Sequence, residues 1–347
     1  MFHPIQTGGC PMTIYDISQM AGVSIATVSR VLNGSTNVTP KTKKKVLDII
    51  EKNGYTPNAF ARGLGLNSMH TIGILCADSS DLYLAKAVCH IERSLRDNGY
   101  QSILCCTGYD LENKKNALHL MISRKVDSVI LVGSHFVEAS DPDNEYIRDA
   151  ARQLPVMLLN ADFDCPNVYC TLCDDFKAMQ EAALYLIDSG AEDILYLYNS
   201  MSYSGRKKLA GCQSAFLLRG LPSDRRYQQF YPGARDDIDD VCRFLNSLRE
   251  AGLSFRAVLA SDDLLATAAI KYARRIGLDI PKDLSVVGYN NSLLAICCQP
   301  ELTSVDNRLE CISRQLVRTL IHTLNGDGMP QKCIFSGELI KRGTTLP

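Results

Sequence analysis

Residues 13–64 read TIYDISQMAGVSIATVSRVLNGSTNVTPKTKKKVLDIIEKNGYTPNAFARGL, and the caps, glycines and apolar spacing in this stretch decide the first domain. Thr13 precedes Ile14 with Asp16 three places on, a capping-box spacing in which Asp stands for the usual Glu. Ile14, Ile17 and Met20/Ala21 recur on one helical face, so a short helix is expected from about Thr13 to Met20. Ala21-Gly22-Val23 follows as a tight turn, with Gly supplying backbone freedom. Ser24 caps a second helix, Ile25 to Leu32. Val28, Val31 and Leu32 face inward, and Ile25, Ala26, Ser29 and Arg30 lie on or near the other face. Two short helices joined by a Gly turn form the helix-turn-helix pattern, whose second helix enters the major groove with its N-terminal residues on base edges.

A third helix is expected after Thr39, a cap, and Pro40, which sits at the first helical position where its missing N–H does no harm. Val46, Leu47, Ile49 and Ile50 form its buried stripe, leaving Lys41, Lys43, Lys44 and Lys45 free to face phosphate. Asn53-Gly54 ends it. Asn58 then caps a very short fourth helix, Ala59 to Leu64, which at about six residues needs tertiary help to form. Between Pro11 and Leu64 there are seven Lys and Arg against three Asp and Glu, whereas the whole chain has a net charge of −1. A basic N-terminal module on an acidic body fits a polyanionic partner at one end only.

The run from Thr13 to Leu64 resembles, almost continuously, the headpiece of the LacI/GalR family, the lactose and galactose repressors. The resemblance implies a sequence-specific transcription regulator, a repressor, that binds double-stranded, pseudo-palindromic operator DNA as a homodimer. It assigns DNA contacts to Thr13, Ser24, Ile25, Ala26, Thr27, Ser29, Arg30, Asn33, Asn58, Ala61 and Leu64. Ile25 and Ala26 fall at two base-reading positions; being apolar, they can touch thymine methyls but cannot hydrogen-bond, whereas Arg30 can hold a guanine bidentately. The fourth helix resembles the family's hinge helix, which folds only on operator. Leu64 matches a leucine that wedges between base pairs in the minor groove and kinks the duplex.

From Thr71 onward, apolar strands alternate with helical segments. The strand candidates are Thr71–Ala77, Gln101–Thr107, Asp127–Gly133, Pro155–Ala161, Asp193–Asn199, Ala257–Ser261 and Ser285–Asn290. The helical segments between them often end in Gly (Gly99, Gly190, Gly277). Such alternation argues parallel sheets covered on both faces, and the length argues two lobes rather than one. The expected fold class is thus an all-α helix-turn-helix headpiece plus an α/β body of two doubly wound parallel-sheet lobes. The resemblance extends more loosely over this body, which is similar to periplasmic sugar-binding proteins, and implies three interlobe crossings, placed near 172–175, 304–307 and 336–339. The domain plan is an N-terminal extension without structure (1–11), the DNA-binding domain (12–57), hinge helix and linker (58–69) and the effector-binding and dimerisation body (70–347). Lobe 1 takes about 70–173 and 306–337, and lobe 2 takes 174–305 and 338–347.

Ligands of such sheets bind beyond the carboxyl ends of the strands. The resemblance puts a small-molecule effector, a carbohydrate, in the interlobe cleft, against Tyr83, Leu84, Asn160, Ser202, Ser204, Lys208, Asp262 and Asn290. Lys208 stands where an arginine is usual, and lysine lacks the bidentate fork. Asn290 stands where Asp is common and can donate as well as accept. Three cations, Arg206, Lys207 and Lys208, near the positive end of a helix favour an anionic ligand such as a sugar phosphate. Asp262 and Asp263 have a plainer reading as helix caps. The aromatic partner of a sugar must be Tyr or Phe, since the chain has no Trp; around Tyr227–Gly233 the family pattern leaves its place open.

Other classes fit poorly. No G-x-S-x-G, Walker loop, G-x-G-x-x-G or H-E-x-x-H occurs, and the six histidines are scattered, so neither an enzyme nor a bound cofactor is expected. The 14 cysteines show no C-x-x-C and no zinc spacing, which predicts free thiols, no metal and a reducing cytoplasm. No apolar stretch of about 18 residues predicts a membrane helix, and no secretory signal is seen. A transport-type solute-binding protein would suit the body but not the headpiece.

Overall fold

The computed structural model describes residues 12–32, 37–55, 68–191, 193–234 and 236–346. Local capping decides the N-terminal unit. The Asp16 carboxylate accepts from the Thr13 N–H at 2.8 Å while the Thr13 hydroxyl accepts from the Asp16 N–H at 3.3 Å, the reciprocal box that starts α1 (Ile14–Ala21). Such a cap contributes about 1 kcal/mol. Gly22 ends α1 in the left-handed region at φ 62°, where a side chain would be strained. Ser24 accepts from the Thr27 N–H at the start of α2 (Ile25–Leu32). Thr39 caps α3 (Pro40–Lys52), and the Asn53 side chain closes it onto the Ile49 carbonyl at 2.7 Å. Ile17, Ala21, Val28, Val31 and Val46 form the core, with Ile14, Leu32, Ile49 and Ile50 packed around them. Two expectations are corrected: Met20 and Leu47 are exposed. With Ala21 and Val46 already filling the small core, their faces turn to solvent. The expected fourth helix lies outside the described residues.

The body opens with β1 (Thr71–Cys76), α4 (Leu82–Asp97), β2 (Gln101–Cys106), α5 (Leu111–Ser123), β3 (Ser128–Val132), α6 (Glu145–Ala151), β4 (Val156–Leu159) and β5 (Val168–Cys173). It continues with α7 (Asp175–Asp188), β6 (Ile194–Tyr198), α8 (Tyr203–Leu218), β7 (Gln228–Phe230), α9 (Ile238–Glu250), β8 (Ala257–Ala260), α10 (Asp263–Arg275), β9 (Ser285–Tyr289) and α11 (Leu293–Cys297). Strand β10 (Thr303–Asp306), α12 (Leu309–Leu324), β11 (Lys332–Phe335) and β12 (Glu338–Ile340) complete it. Two sheets result, in the orders β11-β5-β4-β3-β1-β2 and β12-β10-β9-β8-β6-β7. All neighbours are parallel except β12, which runs antiparallel to β10. The chain passes between sheets at 173–175, 306–309 and 335–338.

Each sheet is covered on both faces, as alternating side chains require. In lobe 1, Leu75, Val129, Leu131, Val156 and Leu158 pack with α5 and α6. Ile72, Ile74, Ile130, Val132, Met157 and Leu159 pack on the other face with α4 and α12. In lobe 2 the corresponding layers are α9 with α10 and α7 with α8. Helices α7 and α8 approach so closely at Gly211 that a Cβ there would lie 2.2 Å from the Phe176 carbonyl oxygen. Among the described residues, no helix is long and apolar enough to cross a membrane, and the 13 described cysteines are free thiols.

Candidate functional sites: a DNA-reading face and an interlobe cleft

The helix-turn-helix packing leaves one face of α2 uncovered. Val28 and Val31 anchor the inner face, while Ser24, Ala26 and Arg30 are exposed and Ile25 remains 45% exposed. An aliphatic side chain held out at the first position of a helix has no packing role in this unit. Thr27 is half-buried, its hydroxyl 2.9 Å from that of Ser24, and Ser29 is half-buried too. Thr13 is exposed, with its hydroxyl already on Asp16. Lys41, Lys43, Lys44 and Lys45 are all exposed. Tyr15, opposite the Ile14/Ile17 stripe of α1, is 56% exposed on the same unit. Asn33, Asn58, Ala61 and Leu64 lie outside the described residues.

In the body, the strand ends of both lobes converge on a buried polar cluster. Asp175, the first residue of α7, is 3% exposed. Its carboxylate accepts from the Ser204 hydroxyl and the Tyr289 hydroxyl, each at 2.5 Å, and from the Asn160 side chain. The close approach at Gly211 sets α8 against α7, which brings Ser204 and Lys208 to Asp175. Lys208 is 9% exposed, donates to the Ser261 carbonyl at 3.0 Å and lies 3.7 Å from the Tyr289 ring centroid, a cation–π distance. Burial pushes the Asp175 carboxyl above the ordinary carboxylate range, against the pull of Lys208, Ser204, Tyr289 and Asn160. Burial likewise pushes the Lys208 ammonium down, while Asp175 and Asp262 hold it up. Asp175 is not among the residues the sequence singles out; Asp174, just before it, caps the helix.

The other expected cleft residues sort by role. Tyr83 is half-buried, its hydroxyl enclosed with no hydrogen-bond partner among the described residues, and burial followed by the Asp175 charge raises its pKa. Asn160 ends β4 in the left-handed region at φ 60° and accepts from the Cys173 N–H at 3.4 Å. Asn290, at φ 98°, accepts from Asn307 at 2.9 Å. Ser202 caps α8 and receives the Ser134 hydroxyl of lobe 1 at 2.8 Å. Asp262 caps α10 through the Leu265 N–H at 2.8 Å and accepts from Asn199 at 3.0 Å. Leu84 is corrected: it belongs to the buried stripe of α4 with Ala87, Ile91 and Leu95 and is core. Of the three cations near the start of α8, Lys208 is buried on the Ser261 carbonyl and the Tyr289 ring, Arg206 donates to the Met201 carbonyl at 2.7 Å, and Lys207 lies over the Tyr203 ring.

The aromatic left open by sequence has candidates at the carboxyl ends of β6 and β7. Phe230 is 43% exposed and meets the Tyr198 ring edge-on at 5.4 Å, whereas Tyr231 is buried with its hydroxyl on Asp240. A cavity of about 290 Å³ lined by Asp193, Phe216, Leu221 and Tyr227 opens at the amino end of β6, the end opposite the cleft.

A helix-turn-helix unit followed in the chain by a two-lobed body of this topology defines a class, the DNA-binding transcription regulators. Residues 13–58 match the model for bacterial regulatory proteins of the lacI family, and residues 183–345 match the periplasmic binding protein-like domain. A helix-turn-helix-type transcriptional regulator of Lachnoclostridium phytofermentans is 52% identical over 334 residues, covering 96% of this chain and 99% of that protein. The chain belongs to the LacI family of bacterial regulatory proteins, and it is a DNA-binding transcription regulator. Its fold is shared with the lac repressor dimer bound to operator and the anti-inducer ONPF, at a TM-score of 0.83 and 23% identity over 97% of this chain and 100% of that one. It is also shared with a transcriptional regulator CelR–cellobiose complex, at 0.70 and 24% over 96% and 99%.

Proposed function

We propose that this regulator is a repressor that binds a pseudo-palindromic operator as a homodimer and is controlled by an uncharged sugar in the interlobe cleft. The observation that carries the DNA half is the uncovered N-terminal face of α2. Ile25 and Ala26 approach thymine methyls, Arg30 pairs with a base edge or phosphate, and Thr13, Ser24, Thr27, Ser29 and the α3 lysines fix register on the backbone. Asn33, Asn58, Ala61 and Leu64 complete the contact set, with Leu64 as the minor-groove wedge. Such a protein works where the chromosome is, in the cytoplasm.

For the effector half, the neutralised cation is the deciding feature. With Lys208 buried on the Ser261 carbonyl and the Tyr289 ring, and its charge opposed by the nearby Asp175, the cleft offers hydroxyls, amides, one carboxylate and aromatic faces: Tyr83, Asn160, Ser202, Ser204, Asp262, Asn290 and the Phe230 ring. That is chemistry for sugar hydroxyls rather than for a phosphate. The CelR relative is described with cellobiose, a neutral sugar, which supports the same class here. The effector moves DNA affinity only as far as it binds open and closed lobes unequally.

Selection of bound sequences from random duplex DNA at about 150 mM salt, where non-specific phosphate binding is weakened, tests the first half. An enriched inverted repeat is expected; half-sites without symmetry overturn the dimeric reading. Arg30→Ala is expected to relax one position of that repeat by about 1–3 kcal/mol. Leu64→Ala should weaken specific binding far more than non-specific binding, and equal losses exclude the wedge. Titration of neutral sugars against sugar phosphates tests the second half; tighter binding of the phosphates overturns it.

A further inference from the structure

Cys76 ends β1 and Cys106 ends β2, and the two are register partners on neighbouring parallel strands. Their side chains therefore point to the same face, and their sulfurs lie 3.8 Å apart. Neighbouring strands are about 4.8 Å apart, within the Cα separation of roughly 4.4–6.8 Å that a disulfide spans. The two thiols live in different surroundings. Cys76 is buried in the core layer beneath α4, while Cys106 is exposed on the edge strand. We propose that Cys76 and Cys106 form an oxidisable dithiol, which a hydroperoxide converts into an intrachain disulfide at the carboxyl edge of the lobe 1 sheet.

The asymmetry assigns the order of events. The exposed Cys106 thiolate attacks the terminal oxygen of the peroxide; the O–O bond breaks, Cys106 becomes a sulfenic acid, and the reduced peroxide leaves as water or an alcohol after taking a proton. The Cys76 sulfur then attacks the Cys106 sulfur, the S–OH bond breaks, and the Cys76 proton leaves with the hydroxyl as water. Burial and the neighbouring Cys106 push the Cys76 thiol up to about 12, so it keeps its proton until that second step and does not compete for the oxidant. The adjacent Cys105 lies on the opposite face, packed against the other lobe 1 core layer.

The bond has a mechanical consequence for the cleft. The pairing of β1 and β2 continues past the cysteines, with Thr107 N–H on the Cys76 carbonyl and Gly108 N–H on the Ala77 carbonyl, each at 2.9 Å. The next residues lead to Asp81, which caps α4 by accepting from the Tyr83 and Leu84 N–H groups. Closing a 3.8 Å contact to about 2.05 Å pulls on the rim that carries Tyr83.

The test exposes the full-length protein to hydrogen peroxide, blocks remaining thiols by alkylation, digests without reduction and maps the peptides by mass. A linked Cys76–Cys106 peptide pair lacking two hydrogens is expected, cleaved by dithiothreitol and absent from Cys106→Ser, while Cys89→Ser and Cys311→Ser retain it. Because Cys76→Ser would bury a hydroxyl, Cys76→Ala is the second variant, and in it Cys106 should proceed irreversibly to sulfinic acid. Linkage of Cys106 to a second chain overturns the proposal, as does Cys106 reaching sulfinic acid equally fast with Cys76 present or absent.

Discussion

The two lobes share a strand order yet differ in the charge they bury: lobe 1 buries the Lys114 ammonium, paired with Glu138 at 2.6 Å, and lobe 2 buries carboxylates. Among the described residues, both buried carboxylates, Asp175 and Asp263, belong to lobe 2. The lobe 1 side of the cleft presents Tyr83 and Asn160, which are uncharged. Within lobe 2 the two aspartates also differ. Each opens a helix, but Lys208 gives the largest pull opposing the burial of Asp175, whereas for Asp263 that pull comes from hydrogen bonds, chiefly the Ser304 hydroxyl at 2.5 Å and the Ser292 N–H at 2.6 Å. Lobe 1 thus supplies a wall whose character does not change with protonation, and lobe 2 supplies one whose balance rests on a counter-ion or on hydrogen bonds alone. That makes lobe 2 the more sensitive half of the body, to mutation first and to pH second.

The largest break in the comparison comes from removing the counter-ion. Lys208→Met leaves the Asp175 carboxylate buried with hydroxyl and amide donors but without the nearby cation whose charge opposes it, and a buried charge left uncompensated costs about 3–5 kcal/mol. Urea unfolding should show this loss, and the double variant Lys208→Met/Asp175→Asn should recover much of it. A single variant within about 0.5 kcal/mol of the parent, the range of an ordinary surface substitution, would mean that Lys208 does not offset the buried Asp175 charge in solution. The lobe 1 counterpart, Asn160→Ala, removes the hydrogen bonds to Asp175 and the Cys173 N–H but no charge, and should cost less, about 1–3 kcal/mol.

Much of this architecture is legible in the chain, and its gaps have physical causes. The headpiece is written locally: Thr13 with Asp16, Gly22, Ser24 and Thr39-Pro40 each act within a few residues. Leu47 misled because helical period alone does not say how wide a buried stripe a three-helix core can cover. Seven strands stand out because both faces of each are apolar. Strand β5 hides because an eight-residue turn, not a helix, joins it to β4. Strands β11 and β12 hide because they are short edge strands carrying exposed Lys332 and Glu338. Strand β7 is three residues long, and β10 reads as the approach to a crossing. In the cleft, Lys208 and Tyr83 are legible through the resemblance to the family, which assigns the loop after β1 and the start of α8 to the effector. Asp175 is not, because its partners come from 29 and 114 residues away in sequence and only the fold assembles them.

Asp263 sharpens the comparison through pH. Burial pushes its carboxyl up to about 6, against about 3.9 in an unfolded chain. Between those values the folded protein binds more protons than the unfolded chain, so this group's contribution to stability falls as pH rises through that window and levels off above it. Moving from pH 7 to pH 5 should therefore raise stability by about 1–2 kcal/mol through Asp263. Asp175, also raised, acts in the same sense, so the diagnostic quantity is the difference in slope between the parent and Asp263→Asn. A flatter pH profile in Asp263→Asn is expected, and parallel profiles would place the charge penalty elsewhere.

The smallest effect on stability should come from the lobe 1 wall, and there the interest lies in binding. Tyr83→Phe deletes a hydroxyl that is enclosed and has no hydrogen-bond partner among the described residues. Burying a hydroxyl without a hydrogen bond is unfavourable by about 1–3 kcal/mol on protein scales, so its removal should leave the fold unchanged or slightly more stable. If the sugar supplies the missing partner, the same substitution should weaken effector affinity about tenfold, which corresponds to roughly 1.4 kcal/mol. Thermal unfolding and sugar titration on one preparation separate the two effects. Unchanged stability with weakened binding assigns the Tyr83 hydroxyl to the ligand, whereas lost stability with unchanged binding would make Tyr83 part of the lobe 1 core and leave lobe 2 to recognise the effector alone.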